Sequence, residues 1–262
     1  MNFFLVALFL LALSLFSSTI FRNVGTGLLF NTDALMIVGG GTIVAVFLGF
    51  PMPRLKKALF DVIDSFRSGR KEEETARDIL EITRIYRKAD IRKLERRMRD
   101  LDDTFLKTGV HLLMNHKSSE EIRVILERAL TSRMMDYHFS QNVLKTVSRL
   151  TPSFGLAGTV ISLIKMFQNM ESIETIAPHM AVAMMSTFYG VIIANLFMLP
   201  LAAKLEEHSL ASEERMHRII EGIVGMNNRD HLINIEDRLA GIHMPWETGA
   251  AASMTPAVVN KP

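Results

Sequence analysis

Four long stretches without a charged residue constrain the fold of this chain more than any other feature of its sequence. They are Met1–Phe21, Ala34–Pro53, Leu150–Ile164 and Thr175–Ala203. By contrast, 22 of the 30 Lys and Arg residues lie between Arg54 and Arg149. Soluble domains distribute charged residues among apolar ones along the whole chain. This segregation therefore excludes an ordinary soluble enzyme and indicates a membrane protein.

The length of each stretch predicts a membrane crossing. About 20 apolar residues span the hydrocarbon core as a helix, and the first, second and fourth stretches supply them. The third stretch is shorter, so it crosses only if its helix continues past Lys165 through Met166 and Phe167. Four crossings place both termini on the same side of the membrane. The basic segment 54–149 puts that side in the cytoplasm.

The first stretch could instead be a secretory signal peptide. It has no basic residue before its apolar run, however, and that run is longer than a signal peptide usually has. No small-residue cleavage site follows it. We therefore expect a retained membrane span.

The predicted fold is all-α, a polytopic membrane protein with four transmembrane helices and a helical cytoplasmic domain. Segment 54–149 lacks strand-like alternation, and its apolar residues recur at helical spacing. Near the end of the chain, Met216, Ile219, Ile220 and Ile223 predict an amphipathic helix. The predicted parts are a first transmembrane hairpin (1–53), a cytoplasmic helical domain (54–149), a second hairpin (150–204), a cytoplasmic C-terminal helix (205–246) and a disordered tail (247–262).

The sequence offers no anchor for an enzyme or a metal site. It contains no cysteine, and its eight histidines form no H-E-x-x-H pair, which excludes thiol catalysis and the common zinc-binding patterns. It also lacks G-x-S-x-G and Walker motifs. We therefore expect a protein that is not an enzyme and holds no metal or cofactor.

Two of the charge-free stretches carry small and hydroxyl residues at helical spacing. These are Gly155, Gly158, Thr159 and Ser162 in the third stretch, and Ala183, Thr187, Gly190 and Ala194 in the fourth. Close helix packing in lipid would by itself account for such stripes. No Asp or Glu lies inside any stretch, although a cation path through lipid needs an ionisable or densely oxygenated site. If the chain conducts ions, a partner must supply the carboxylate.

Longer motifs in the same two stretches resemble the third and fourth spans of the MotA/PomA flagellar stator family, within the MotA/TolQ/ExbB superfamily. They are Thr151–Thr159 (TPSFGLAGT), Met180–Gly190 (MAVAMMSTFYG), Ala194-Asn195 and Leu199–Ala202 (LPLA). Asp100–Gly109, Ile122–Leu126 and Ile219–Ile223 are also similar to that family. The related ExbB and TolQ subunits have three spans, so four spans with a long insert favour the MotA side.

The resemblance implies a ring in the bacterial inner membrane, usually a pentamer, around two MotB-type subunits. Each MotB-type subunit has a single span, carries the membrane aspartate and anchors to peptidoglycan. Passage of Na⁺ or H⁺ would rotate the ring, whose cytoplasmic domain then turns a FliG-type rotor protein.

Positions carried over from the family give the candidate site residues. They are Thr159 and Thr187 in the ion pathway, Pro152 and Pro200 as conformational hinges, and Arg87 and Glu95 as rotor-binding residues. Eight positions separate Arg87 from Glu95, so on one helix they would share a face. Asp90 stands between them where the family motif has glycine.

The identity of the ion and the process driven stay open at the level of sequence. Sodium-type members place threonine where Thr159 stands, which favours sodium, yet ExbB and TolQ also have threonine there and use protons. Two other functions are an ExbB/TolQ-like proton-driven energiser of a non-flagellar process and a non-conducting membrane scaffold. A neighbouring MotB-like gene would argue against the first, and ion dependence would argue against the second.

Overall fold

The computed structural model describes residues 30–66, 72–88, 90–168, 173–231 and residue 235, and every regular element among them is helical. The helices are α1 (Thr32–Gly49), α2 (Met52–Phe66), α3 (Glu72–Arg87), α4 (Ile91–Asp100), α5 (Thr104–Met114), α6 (Ser119–Gln168), α7 (Ile173–Ile192) and α8 (Leu199–Asn227). Helix α1 contains a π-helical segment, Met36–Gly40, and a second π segment, Ile193–Met198, joins α7 to α8. The all-α prediction is confirmed for these residues.

Among the described residues, three helical stretches are long and apolar enough to cross a membrane. They are Thr32–Gly49, Ser119–Gln168 and Ile176–Asn227. The predicted first span, Met1–Phe21, lies outside the described residues, so the count of four spans stays a prediction. The short third stretch belongs to a 50-residue helix that continues past Lys165, as a crossing at this place requires.

Contacts between residues divide the chain into two compact units. The first unit comprises residues 1–64 and 138–205, and the second comprises residues 65–137 and 206–262, each as far as it is described. These divisions fall within α2, α6 and α8, whereas the sequence predicts divisions at the ends of the charge-free stretches. A helix satisfies its own backbone hydrogen bonds, so it continues unbroken where its surroundings change.

An apolar core holds the second unit together. It is formed by residues of α3, α4, α5, the first part of α6 and the last part of α8, including Ile79, Ile82, Leu94, Leu106, Leu113, Ile122, Leu126 and Ile220. The residues predicted for the final amphipathic helix all lie in it. Two glycines allow these helices to approach. A Cβ built on Gly109 would lie 2.9 Å from Cγ1 of Ile223, and one on Gly222 would lie 2.7 Å from Cγ2 of Ile79.

Polar side chains start three helices of this unit. Asp90 caps α4 and Asp103 caps α5, each by accepting hydrogen bonds from backbone N–H groups of the first turn. Before α6, Ser118 and Glu121 form a capping box, which the S-x-x-E spacing in the sequence indicates. The backbone N–H of Glu121 donates to Oγ of Ser118, and that of Ser118 donates to Oε2 of Glu121. These bonds satisfy N–H groups that have no partner within the helix.

Candidate functional site

The two predicted stripes of small residues lie against each other in the first unit, where α6 meets α7. A Cβ built on Gly155 would lie 2.9 Å from the carbonyl oxygen of Ser186, and one on Gly190 would lie 2.9 Å from that of Thr151. An ordinary van der Waals contact is at least about 3.5 Å. Only glycine at these two positions therefore allows the backbones to approach this closely.

This close approach brings the two predicted ion-pathway threonines together. Oγ1 of Thr159 lies 2.7 Å from Oγ1 of Thr187, 3.0 Å from the carbonyl oxygen of Ala183 and 3.2 Å from that of Gly155. A hydroxyl has a single proton to donate. If Thr159 donates to a carbonyl, Thr187 donates to Thr159. The lone pairs of the Thr187 oxygen then stay available to another donor or to a cation.

The oxygens around Thr159 are suited to a hard cation, but none of them carries a charge. Hydroxyl and carbonyl oxygens are the ligands that such cations take in proteins. Residues 150–164 and 176–203 contain neither Asp nor Glu. Neutral oxygens alone compensate poorly for removing a cation from water. The threonine pair therefore offers oxygen ligands but no negative charge to a cation.

Sequence reasoning missed Ser186, which lies at the same helix contact. Its side chain is fully buried, and its hydroxyl donates to the carbonyl oxygen of Val182 at 2.8 Å. A Cβ built on Gly158 would lie 2.6 Å from Oγ of Ser186, so Gly158 makes room for this hydroxyl. The available signal was its spacing from Ala183, because residues three apart share a helix face.

Helix α1 is held against both helices of the threonine pair. The backbone N–H of Asn31 donates to the hydroxyl of Tyr189 on α7 at 2.9 Å, and the side chain of Asn31 caps the start of α1. Farther along α1, a Cβ on Gly41 would overlap the ring of Phe154 on α6. Tyr189 and Phe154 thus position the candidate span Thr32–Gly49. Their sequence motifs alone did not indicate this role.

The two predicted hinge prolines occupy different helical settings. Pro152 lies inside α6, and its Cα is 3.1 Å from the position of a Cβ built on Gly190. Pro200 is the second residue of α8 and follows the π segment Ile193–Met198 directly. Proline removes one backbone hydrogen bond from a helix, and local π geometry is a common adjustment to that loss. The hinge role itself stays a prediction.

Arg87 and Glu95 do not share a helix, so their predicted common helix face is wrong. Arg87 is the last residue of α3, whereas Glu95 lies within α4. The break arises because the carboxylate of Asp90, at the family's glycine position, caps a new helix. Arg87 donates a hydrogen bond to the carbonyl oxygen of Asp230, and Glu95 forms an ion pair with Arg99 at 2.7 Å. Both residues belong to the second unit, but they lie on separate elements of it.

A cavity of about 420 Å³ lies beside Arg87. Most of its lining is apolar, and its residues are Tyr86, Arg87, Asp90, Ile91, Leu94, Leu113, Met114, His116, Met226 and Arg229. His116 and Arg229 have positive φ angles of 52° and 59°. Residues other than glycine seldom adopt this backbone conformation. The ends of several helices therefore meet here around a recess with basic groups.

The glycine contact between α6 and α7 predicts the outcome of a matched pair of substitutions. Gly190→Ala places a methyl group against backbone atoms, so we expect the full-length chain to lose about 1–3 kcal/mol of stability. Gly40→Ala is the control, because nothing lies within 4 Å of a Cβ at that position. Thermal unfolding in detergent measures both. Equal stability of the two variants would contradict the close backbone contact.

Comparisons with known proteins show what this chain is similar to in sequence and in fold. A match to the MotA/TolQ/ExbB proton channel family covers residues 97–218. The uncharacterized protein YtxD of Bacillus subtilis is 29% identical over 213 residues, which cover 80% of this chain and 77% of that protein. Motility protein A of Treponema pallidum is 29% identical over 219 residues, which cover 80% and 82% of the two chains.

A solved structure shares the fold as well. The structure of C. jejuni MotAB superposes with a TM-score of 0.81, covering 94% of this chain and 97% of the other at 21% identity. The family match covers the threonine pair, and the sequence relatives extend over most of the chain. The chain is therefore similar to the MotA/PomA group of the MotA/TolQ/ExbB family.

Proposed function

We propose that this chain is a flagellar stator subunit, which works with a MotB-type partner to convert a flow of cations into torque on the flagellar rotor. The observation that carries the proposal is the pair of hydroxyl oxygens of Thr159 and Thr187, 2.7 Å apart at the contact of two candidate spans. No carboxylate lies in either charge-free stretch. Such a path is incomplete without an acidic residue from another chain, and a MotB-type subunit with a membrane aspartate would supply it.

The relatives and the fold support this partner and this setting. Motility protein A is the name of several relatives, and the solved neighbours are MotAB complexes. The matching family is described as one of proton channels. In the arrangement that we propose, the chain crosses the bacterial inner membrane four times with both termini in the cytoplasm. Five copies surround the MotB-type subunits.

We propose sodium as the coupling ion. The oxygens that this chain contributes do not titrate near neutral pH, so a proton path would depend on the partner's aspartate and on water molecules. The same oxygens are suitable ligands for a dehydrated hard cation. The threonine at position 159, which the sodium-type members share, supports the same choice.

Pro152 and Pro200 are the hinges in this proposal. A helix bends most readily where a backbone hydrogen bond is missing. Pro152 lies next to the glycine contact and seven residues before Thr159, so bending there would change the surroundings of the threonine pair. Pro200 follows a π segment, which already departs from regular α geometry.

The rotor contact that we propose lies on the second unit at Arg87 and Glu95. Because the two residues lie on separate helices, they would contact two different points of a FliG-type partner. The apolar cavity beside Arg87 would accept one bulky side chain of that partner next to an acidic group. Pockets filled by such anchors dominate the energy of many protein interfaces.

Thr187→Val keeps the shape of the side chain but removes its oxygen, so we expect swimming to stop while the protein stays at its normal level in the membrane. Thr108→Val is the control, because the exposed Thr108 hydroxyl donates to the Thr104 carbonyl of its own helix. Swimming speed and membrane immunoblots measure the two variants. Normal swimming of Thr187→Val would remove this oxygen from the ion path.

Sodium coupling predicts that cells driven by this stator stop swimming in sodium-free medium and recover when sodium chloride is added. Potassium chloride is the control for ionic strength. Thr159→Ala should raise the sodium concentration that half-maximal speed requires, because it removes one of the neighbouring oxygens. Unchanged speed without sodium would identify protons as the coupling ion.

The double reversal Arg87→Glu with Glu95→Lys should abolish swimming at unchanged membrane levels, because repulsion replaces attraction at both contacts. Single neutralisations should weaken torque only partly, since an exposed ion pair contributes about 0–1 kcal/mol. The control is Glu127→Lys with Arg128→Glu, a reversal of two exposed residues on α6. Rescue by opposite reversals on the rotor protein would locate the contact, whereas normal swimming of the Arg87/Glu95 variant would exclude it.

A further inference from the structure

Helix α2 is amphipathic in the opposite sense to a helix on the surface of a soluble protein. Its inner face carries small and polar residues beside Val62, with Ala58 4% exposed and Asp61 5% exposed. Asp61 accepts a hydrogen bond from the hydroxyl of Ser140 on α6 at 2.6 Å. Its outer face is large and apolar, and Leu59 and Phe60 are 62% and 73% exposed. Burying the polar side while exposing the apolar side is unfavourable in water.

The exposed apolar residues form one continuous face. Met52, Leu59, Phe60 and Ile63 are each at least half exposed, and at about 100° per residue they fall within an arc of about 100° on the helix. Lys56 is exposed within the same arc. A lysine can lie along apolar surface with its four-carbon stem while its ammonium group reaches a polar layer.

The position of α2 in the chain indicates what covers this face. The helix begins at Met52, three residues after the candidate span Thr32–Gly49 ends. The last turn of that span carries Phe47 and Leu48, whose side chains are 52% and 85% exposed. The apolar surface of the span thus leads directly to that of α2. A helix that follows a span so closely starts at the boundary of the bilayer.

Charge favours lipid over a second copy of the chain as the occupant. The first two turns contain Arg54, Lys56 and Lys57 and no acidic residue. The guanidinium group of Arg54 lies 3.9 Å above the ring of Phe139, within the same unit. Basic residues beside an apolar face attract anionic lipid headgroups, whereas lysine is depleted from the cores of protein interfaces.

We infer that α2 is an interfacial helix whose outer face, Met52, Leu59, Phe60 and Ile63, inserts into the headgroup boundary of an anionic bilayer, with Lys56 beside the lipid phosphates. This binding surface for lipid goes beyond the proposed stator function and does not depend on it. The buried pair of Asp61 and Ser140 fixes the rotation of the helix so that this face points outward.

Spin labelling tests the inference directly, because the chain contains no cysteine. Phe60→Cys carries a nitroxide label in the full-length chain. The labelled chain is reconstituted in vesicles of phosphatidylcholine and phosphatidylglycerol. Collision with oxygen, which concentrates in lipid, is compared with collision with a water-soluble nickel chelate. Thr108→Cys on the exposed face of α5 is the matched reporter of an aqueous position.

The inference predicts high oxygen and low nickel accessibility at position 60, with the reverse at position 108. High nickel accessibility at position 60 would mean that the face lies in water. Low accessibility to both reagents would mean that another protein surface covers it. Either result overturns the inference, and neither result bears on ion flow or torque.

The role of anionic lipid has its own measurement. Adding phosphatidylglycerol to phosphatidylcholine vesicles should raise the ratio of oxygen to nickel accessibility at position 60 by up to about fivefold, because one basic residue near an anionic surface favours the inserted state by that factor. Lys56→Gln should abolish that rise without changing the ratio in phosphatidylcholine alone. If phosphatidylglycerol does not change the accessibility ratio, or if the ratio still rises in Lys56→Gln, the part assigned to Lys56 is overturned.

Discussion

Backbone contact between α6 and α7 at Gly155 and Gly190 is the constraint on which the candidate ion pathway depends. Lipid tails are as apolar as the side chains that they surround, so close packing replaces the hydrophobic effect as the main force between helices there. At these two glycines the helices approach to distances that no other residue permits. The hydroxyls of Thr159 and Thr187 meet only because of that approach.

The chemistry of the threonine pair follows from what surrounds it. Its oxygens are hydroxyl and carbonyl oxygens, and neither adjoining charge-free stretch contains a carboxylate. Such a site can orient and partly solvate a cation, but it cannot by itself offset the cost of removing that cation from water. Because the site lacks a carboxylate, we propose that it functions in a complex with a chain that supplies one. A charged residue within these stretches would be costly to a subunit that inserts alone.

The second unit is organised by different forces. An apolar core, mostly of branched side chains, holds its short helices together, and polar caps decide where several of these helices start. One cap changes the proposed rotor contact. Because Asp90 starts a new helix, Arg87 and Glu95 lie on separate elements, and a partner must meet them at two points. The same break places Arg87 beside an apolar cavity.

The sequence by itself determined the helical class, the candidate spans that fall among the described residues, the small-residue stripes and the capping box at Ser118. These features depend on local periodicity, on the length of apolar runs and on side chains that bond within one turn. A capping aspartate is an equally local signal. The cap at Asp90 was missed because one continuous helix was predicted through Arg87 and Glu95.

Only the tertiary structure decided which atoms meet across helices. The 2.7 Å contact of Thr159 with Thr187, the burial of Ser186 and the bond from Asn31 to Tyr189 all depend on the rotation and depth of each helix. The outward face of α2 was decided in the same way, by the bond between Ser140 and Asp61. Periodicity fixes which residues share a face of a helix. It does not fix which neighbour that face contacts, because that choice depends on the packing of residues far apart in the chain.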